Sequence, residues 1–186
     1  MRIVPILLLV FLGFTACNSN KTNIKTVDSV KETNSKKSNN ELDWEEPEML
    51  LGDFELEALK EAPYNEWYDP IYEESIIEEE HMDQLESLLT DDIKIIAYVG
   101  SWCPDTQFEL PNLIKTLDRV NFNYSNLELI GVDEEYQAPD GSNKDWNITN
   151  VPTFILLQND KELGRFVEFP DKSLAEDFIK ILEKKD

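Results

Sequence analysis

One cysteine is set up for nucleophilic chemistry in the stretch VGSWCPDTQFELP, residues 99–111. Cys103 lies between Trp102 and Pro104, and Leu110, Leu113, Ile114 and Leu117 then recur on one helical stripe. The spacing predicts a helix from about Pro104 to Val120, kinked at Pro111. Cys103 then sits at the helix N-terminus, facing N–H groups that have no intrahelical partner and the positive end of the helix dipole. Both favour the thiolate, which is the nucleophile. Thr106 lies one turn further on and is expected to donate a hydrogen bond to the sulfur, while the negative charge of Asp105 opposes ionisation.

What this thiol can do depends on the other cysteines. The chain has two, Cys17 and Cys103. The first seventeen residues, MRIVPILLLVFLGFTAC, carry one positive charge at Arg2, an apolar run from Ile3 to Phe14, and the small residues Thr15 and Ala16 before Cys17. That is the layout of a secretory signal, and the run is too short to span a bilayer, which takes about 20 apolar residues. FTAC also resembles a bacterial lipobox, which implies cleavage before Cys17 and a diacylglycerol on its thiol. Residues 1–16 are therefore expected to be a signal peptide and Cys17 a membrane anchor. Cys103 is then the single free thiol of the processed protein, and any disulfide it forms must be intermolecular.

Composition narrows the partners. The formal net charge is −22, with 39 acidic against 17 basic residues. Such a surface repels nucleic acid phosphates, so no nucleic acid partner is expected. Residues 17–40 are rich in Asn, Ser, Thr and Lys and lack aromatic residues, which predicts a flexible tether. Residues 41–79 are strongly acidic yet hold Tyr64, Trp67, Tyr68 and Tyr72, spaced to lie on one helical face with an interruption expected near Pro70. Packing of these rings onto the domain is preferred to a ligand-binding strip.

The elements that must position Cys103 follow from residue 80. Met82, Leu85, Leu88 and Leu89 predict a helix ending before Asp91. IKIIAYV, 93–99, is a continuous apolar run, as in a strand buried on both faces. LELIGV, 127–132, predicts a second strand, and TFILLQ, 153–158, with ELGRFVEF, 162–169, a hairpin. Leu174, Phe178, Ile181 and Leu182 mark a C-terminal helix with Ser173 and Glu176 at capping-box spacing. The stretch APDGSNKD, 138–145, is read as a turn.

This order, together with Trp102-Cys103-Pro104, Pro111 and NVPTFILL at 150–157, resembles the thioredoxin family over about residues 80–184. PYNEWYDPIYEES and WCPDT are similar to bacterial members that carry WCPDS or WCPDT in place of WCxxC. The resemblance implies an α/β thioredoxin-like fold, residues 80–186, with a mixed central sheet flanked by helices and an acidic N-terminal extension. It implies that Pro152 is the family's cis-proline beside Cys103. The backbone of Val151 would then pair with an extended substrate, and Trp102 and Pro104 would border it. It also makes Cys103 and Thr106 the catalytic pair of positions. Two departures stand out: Thr106 replaces the resolving cysteine, and Ala97 stands where an acidic proton acceptor is common.

The expected function is monothiol–disulfide exchange with protein thiols or disulfides, outside the cytoplasm, on a lipid anchor at Cys17. Asn18 after the anchor favours the outer membrane over the inner. The competing expectation is a non-catalytic module of the same fold that binds a protein or peptide. Peroxide reduction is disfavoured because no arginine lies near Cys103 in the sequence. No cofactor and no metal are expected. His81, the one histidine, follows three glutamates and is read as a surface residue.

Overall fold

The computed structural model describes residues 48–184. The expected signal peptide, Cys17 and the expected tether lie outside the described residues. In chain order the elements are β1 (Gly52–Asp53), α1 (Asn65–Glu74), α2 (Glu79–Leu88), β2 (Ile93–Val99), α3 (Pro104–Arg119), β3 (Leu127–Gly131), α4 (Ser142–Asp145), β4 (Thr153–Gln158), β5 (Lys161–Val167) and α5 (Leu174–Leu182). Short 3-10 turns lie at Leu56–Lys60 and Tyr124–Asn126.

The sheet runs β1-β3-β2-β4-β5. β2 and β3 are parallel, and every other neighbouring pair is antiparallel. This is the expected mixed sheet. Its two faces explain the unbroken apolar run of β2. Ile93, Ile95, Ala97 and Val99 join a large core with Leu110, Leu113 and Leu117 of α3 and Phe178 of α5. Ile96 and Tyr98 point into a smaller core on the other side, with Ile130, Ile148 and Ile155. A strand covered on both faces has no solvent side to mark with polar residues.

Several boundaries differ from expectation for local reasons. β5 stops at Val167, because Glu168 takes a positive φ of 62° and donates its N–H to Pro152 O at 2.8 Å. Within 138–145, a four-residue helical turn, α4, follows Gly141, itself at φ 79°. The two-residue strand β1 was not predicted; it pairs Gly52 with Gly131.

Pro70 does not interrupt its segment: α1 runs through it without a break. A proline inside a helix costs about 3 kcal/mol. Here Tyr68 is buried, stacked on Tyr72 at 5.8 Å, while Tyr64, Trp67 and Tyr72 pack against the large core. The four rings thus anchor the acidic segment to the domain, and their burial offsets the lost hydrogen bond. The C-terminal end of α1 is held from α3, where Lys115 Nζ donates to the carbonyls of Tyr72, Glu73 and Ser75 at 2.7, 2.9 and 2.9 Å.

His81 is not a plain surface residue. Its side chain is only 21% exposed and its Nε2 is buried among glutamates of α2 and α5. The reason is long-range: Glu176, from the other end of the chain, closes over it.

Candidate functional site

The site is built where β2 hands over to α3. Gly100 and Ser101 turn the chain, and the Cys103 N–H donates to Gly100 O at 2.9 Å. Cys103 is the N-cap of α3 and Pro104 its first helical residue. A proline fits there because that position has no intrahelical N–H bond to lose. Three contacts fix the turn. Leu50 N–H donates to Ser101 Oγ at 3.1 Å, Gln107 Nε2 donates to Ser101 O at 2.9 Å, and Gly100 N–H donates to Thr106 Oγ1 at 3.2 Å.

The Thr106 contact corrects an expectation. Its hydroxyl oxygen is engaged by the Gly100 amide, and it makes no hydrogen bond to the Cys103 sulfur. The side chain is 1% exposed. Pinned to the loop at its own base, Thr106 acts as a brace for the turn. The sulfur instead donates to Val151 O at 3.3 Å. Cys103 is 8% exposed and is the free cysteine among the described residues.

Val151 and Pro152 are therefore brought beside Cys103 from 48 residues downstream, and the Val151–Pro152 peptide bond is cis. The Pro152 carbonyl is occupied by Glu168 N–H, and Thr153 Oγ1 donates to Asn150 O at 2.7 Å. Among the described residues the Val151 N–H makes no backbone hydrogen bond. A main-chain donor next to the sulfur is thus left for an incoming chain.

Trp102 forms one wall. Its Nε1–H donates to Val132 O at 3.0 Å, and its ring lies 6.1 Å from that of Tyr136. This close seat explains Gly100, which sequence reasoning did not single out: a Cβ there would lie 2.7 Å from the Trp102 ring. Beside Trp102 opens a cleft of about 560 Å³, bordered by Trp67, Tyr64, Glu48, Glu66 and Glu134. The acidic segment thus supplies part of the surface around Ser101 and Trp102, the two residues before the thiol, a contribution that no motif signalled.

Ala97 is fully buried and carries no acid. The buried carboxyl near this end of α3 is Glu109, only 6% exposed. Burial, and then the charge of Asp105, push it up to about 7.

Three comparisons bear on identity. The family model described as Thioredoxin matches residues 55–178. No curated protein matches the sequence. Among solved structures, a protein of unknown function from Pseudomonas aeruginosa is similar at 19% identity, covering 64% of this chain and 81% of that one, with a TM-score of 0.43. Mitochondrial thioredoxin 3 from Saccharomyces cerevisiae in its oxidised form is similar at 23% identity, over 53% of this chain and 88% of that one, with a TM-score of 0.35. Fasciola hepatica thioredoxin is similar at 18% identity, over 53% and 89%, with a TM-score of 0.37.

Proposed function

The chain belongs to the thioredoxin family, and on that premise we propose that it carries out monothiol–disulfide exchange through Cys103. Family membership supports thiol–disulfide exchange with protein thiols or disulfides as the general chemistry. The observation that carries the narrower reading is the seat of Cys103: the N-cap of α3, with its sulfur against Val151 O and a free Val151 N–H alongside.

In the proposed step the Val151 carbonyl gives up the thiol, and the sulfur loses its proton to solvent water. The Cys103 thiolate attacks one sulfur of a partner disulfide. A Cys103–partner disulfide forms, the partner S–S bond breaks, and the second partner sulfur leaves as a thiolate. No net oxidation occurs. Thr106 cannot resolve the adduct, so release takes the partner's own thiol or an external one. The partner's extended chain would take the Val151 N–H in strand-like pairing, with Trp102 and Pro104 bordering it.

We further propose that residues 1–16 are removed, that 17–40 tether the domain, and that Cys17 bears a lipid anchor on the periplasmic face of the outer membrane. No described helix is long and apolar enough to cross a membrane. Incorporation of labelled palmitate that is lost in Cys17→Ala tests the anchor.

The exchange reading is tested by incubating the protein with oxidised glutathione and a disulfide-bonded protein, then measuring intact mass without reductant. An adduct at Cys103, absent in Cys103→Ser, is expected. Burial of the thiol to 8% exposure favours a second reading, a non-catalytic binding module. A Cys103→Ser protein that retains full partner binding, with no adduct in the wild type, would establish that reading instead.

A further inference from the structure

The first turn of α2 meets α5 through a group of imidazole and carboxylate side chains. His81 Nε2 lies 3.3 Å from Glu80 Oε1, 3.6 Å from Glu176 Oε1 and 3.9 Å from Glu78 Oε2. One candidate ligand atom from each of Glu78, His81 and Glu176 lies within 4.8 Å of the other two. The Nε2 atom is buried and has no hydrogen-bond partner.

An orphaned nitrogen of this kind is costly unless something binds it, and a buried polar atom without a partner calls for an account. Its neighbours are acceptors, at distances and angles that make no hydrogen bond with it. Yet the separations of 3.3 Å and 3.6 Å suit ligands arranged about one ion, and Glu78 Oε2, at 3.9 Å, lies slightly beyond that spacing on an exposed side chain free to rotate inwards. Around a tetrahedral centre with bonds of about 2.0–2.2 Å, neighbouring ligand atoms lie roughly 3.3–3.6 Å apart. Glu176 is oriented for the role: Lys172 Nζ holds its Oε2 at 3.0 Å, which turns Oε1 towards His81. Such an outer partner fixes a ligating carboxylate.

We propose that Glu78, His81 and Glu176 form a binding site for a divalent first-row transition ion of the zinc class, with a further position open to Glu80 or water. One nitrogen and two carboxylate oxygens suit zinc better than calcium or magnesium, which take oxygen ligands. The ion would link the start of α2 to α5, two elements far apart in sequence, and stabilise the folded state by an amount that rises with the logarithm of its concentration once that exceeds Kd. The site shares no residue with the Cys103 centre, so it is independent of the exchange reading.

The chain has one histidine, so its imidazole ring protons are assigned without ambiguity in the proton NMR spectrum. The test uses the intact protein without a histidine tag, in a Cys103→Ser background that removes the thiol as a rival ligand. Zinc chloride is titrated while the His81 signal and the melting temperature are followed. The expected result is saturable 1:1 binding that shifts the His81 signal and raises the melting temperature. His81→Gln and Glu176→Gln should each weaken binding by at least about tenfold. A His81 signal that zinc leaves unmoved overturns the proposal, whatever the variants do. Saturable binding unchanged in His81→Gln overturns it equally.

Discussion

The sulfur of Cys103 and the carbonyl oxygen of Val151 face each other at 3.3 Å across the junction of α3 and β4. This contact joins the two parts of the site, and it is one that only the protonated sulfur can make as a donor. With the Thr106 hydroxyl engaged by the Gly100 amide, this carbonyl is the sulfur's hydrogen-bond partner among the described residues.

Restoring a cysteine at 106 should restore dithiol chemistry. Thr106→Cys is expected to close an internal disulfide with Cys103 under air and to gain catalytic reduction of insulin with dithiothreitol. The cost is the lost acceptor for the buried Gly100 N–H, about 1–3 kcal/mol. Thr106→Ser keeps that acceptor and should keep wild-type stability while gaining no reductase activity. Two thiols that remain titratable with Ellman's reagent after oxidation of Thr106→Cys would place the helix start wrongly for exchange.

Gly131 couples the N-terminal segment to the site. A Cβ there would lie 2.1 Å from Leu50 O, a backbone atom that cannot rotate away. The same Leu50 donates its N–H to Ser101 Oγ in the turn before Cys103. Gly131→Ala should therefore displace β1, costing about 1–3 kcal/mol in urea unfolding. It should also loosen the turn and speed alkylation of Cys103 by iodoacetamide. Unfolding and alkylation both unchanged would show that β1 does not support the site.

Lys115 gives a separate handle on the same segment. Its ammonium satisfies three carbonyls at the end of α1 and lies 5.5 Å from the Tyr72 ring centroid. Charge-assisted bonds of this kind contribute roughly 1.5–3 kcal/mol. Lys115→Met should destabilise by about that amount and make the segment before β2 the first site of proteolysis. Lys115→Arg should recover part of the loss.

Periodicity made most of the scaffold legible. The runs at 93–99 and 153–158 and the stripe along α3 are dense enough that tertiary packing only confirms them. What sequence could not show is non-local. β1 exists because Gly131 leaves room for Leu50, and two residues carry no strand signal. Pro70 sits inside α1 because four rings find a core to bury in, which local propensity does not weigh. At the site, Trp102-Cys103-Pro104 and Val151-Pro152 could be paired through their family resemblance. The Thr106–Gly100 and Leu50–Ser101 contacts could not, since hydroxyl partners depend on the path of the folded turn. The grouping of His81 with Glu176 spans the chain from α2 to α5 and likewise has no local pattern.

Glu109 makes stability depend on pH in a direction that can be stated in advance. It lies on α3, 6% exposed, and among the described residues its carboxyl makes no hydrogen bond; it lines a cavity of about 410 Å³ with Phe108, Ile76 and Leu174. Burial is the main cause of its raised value of about 7, against an ordinary 4.5, and Asp105 adds to it. Below about pH 4.5 both the folded and unfolded chains hold this proton, and the group costs nothing. As pH rises towards 7 the unfolded chain releases its proton while the folded one retains it, so the stability present at low pH is progressively lost. At 1.36 kcal/mol per unit the full loss is on the order of 3 kcal/mol. Glu109→Gln has no proton to lose. Urea unfolding of both proteins from about pH 4 to 8 should show the variant gaining on the wild type through this window, with the gap levelling off above about pH 7. Parallel curves across the window would mean that the Glu109 carboxylate is solvated in the folded protein and that the cavity is wet.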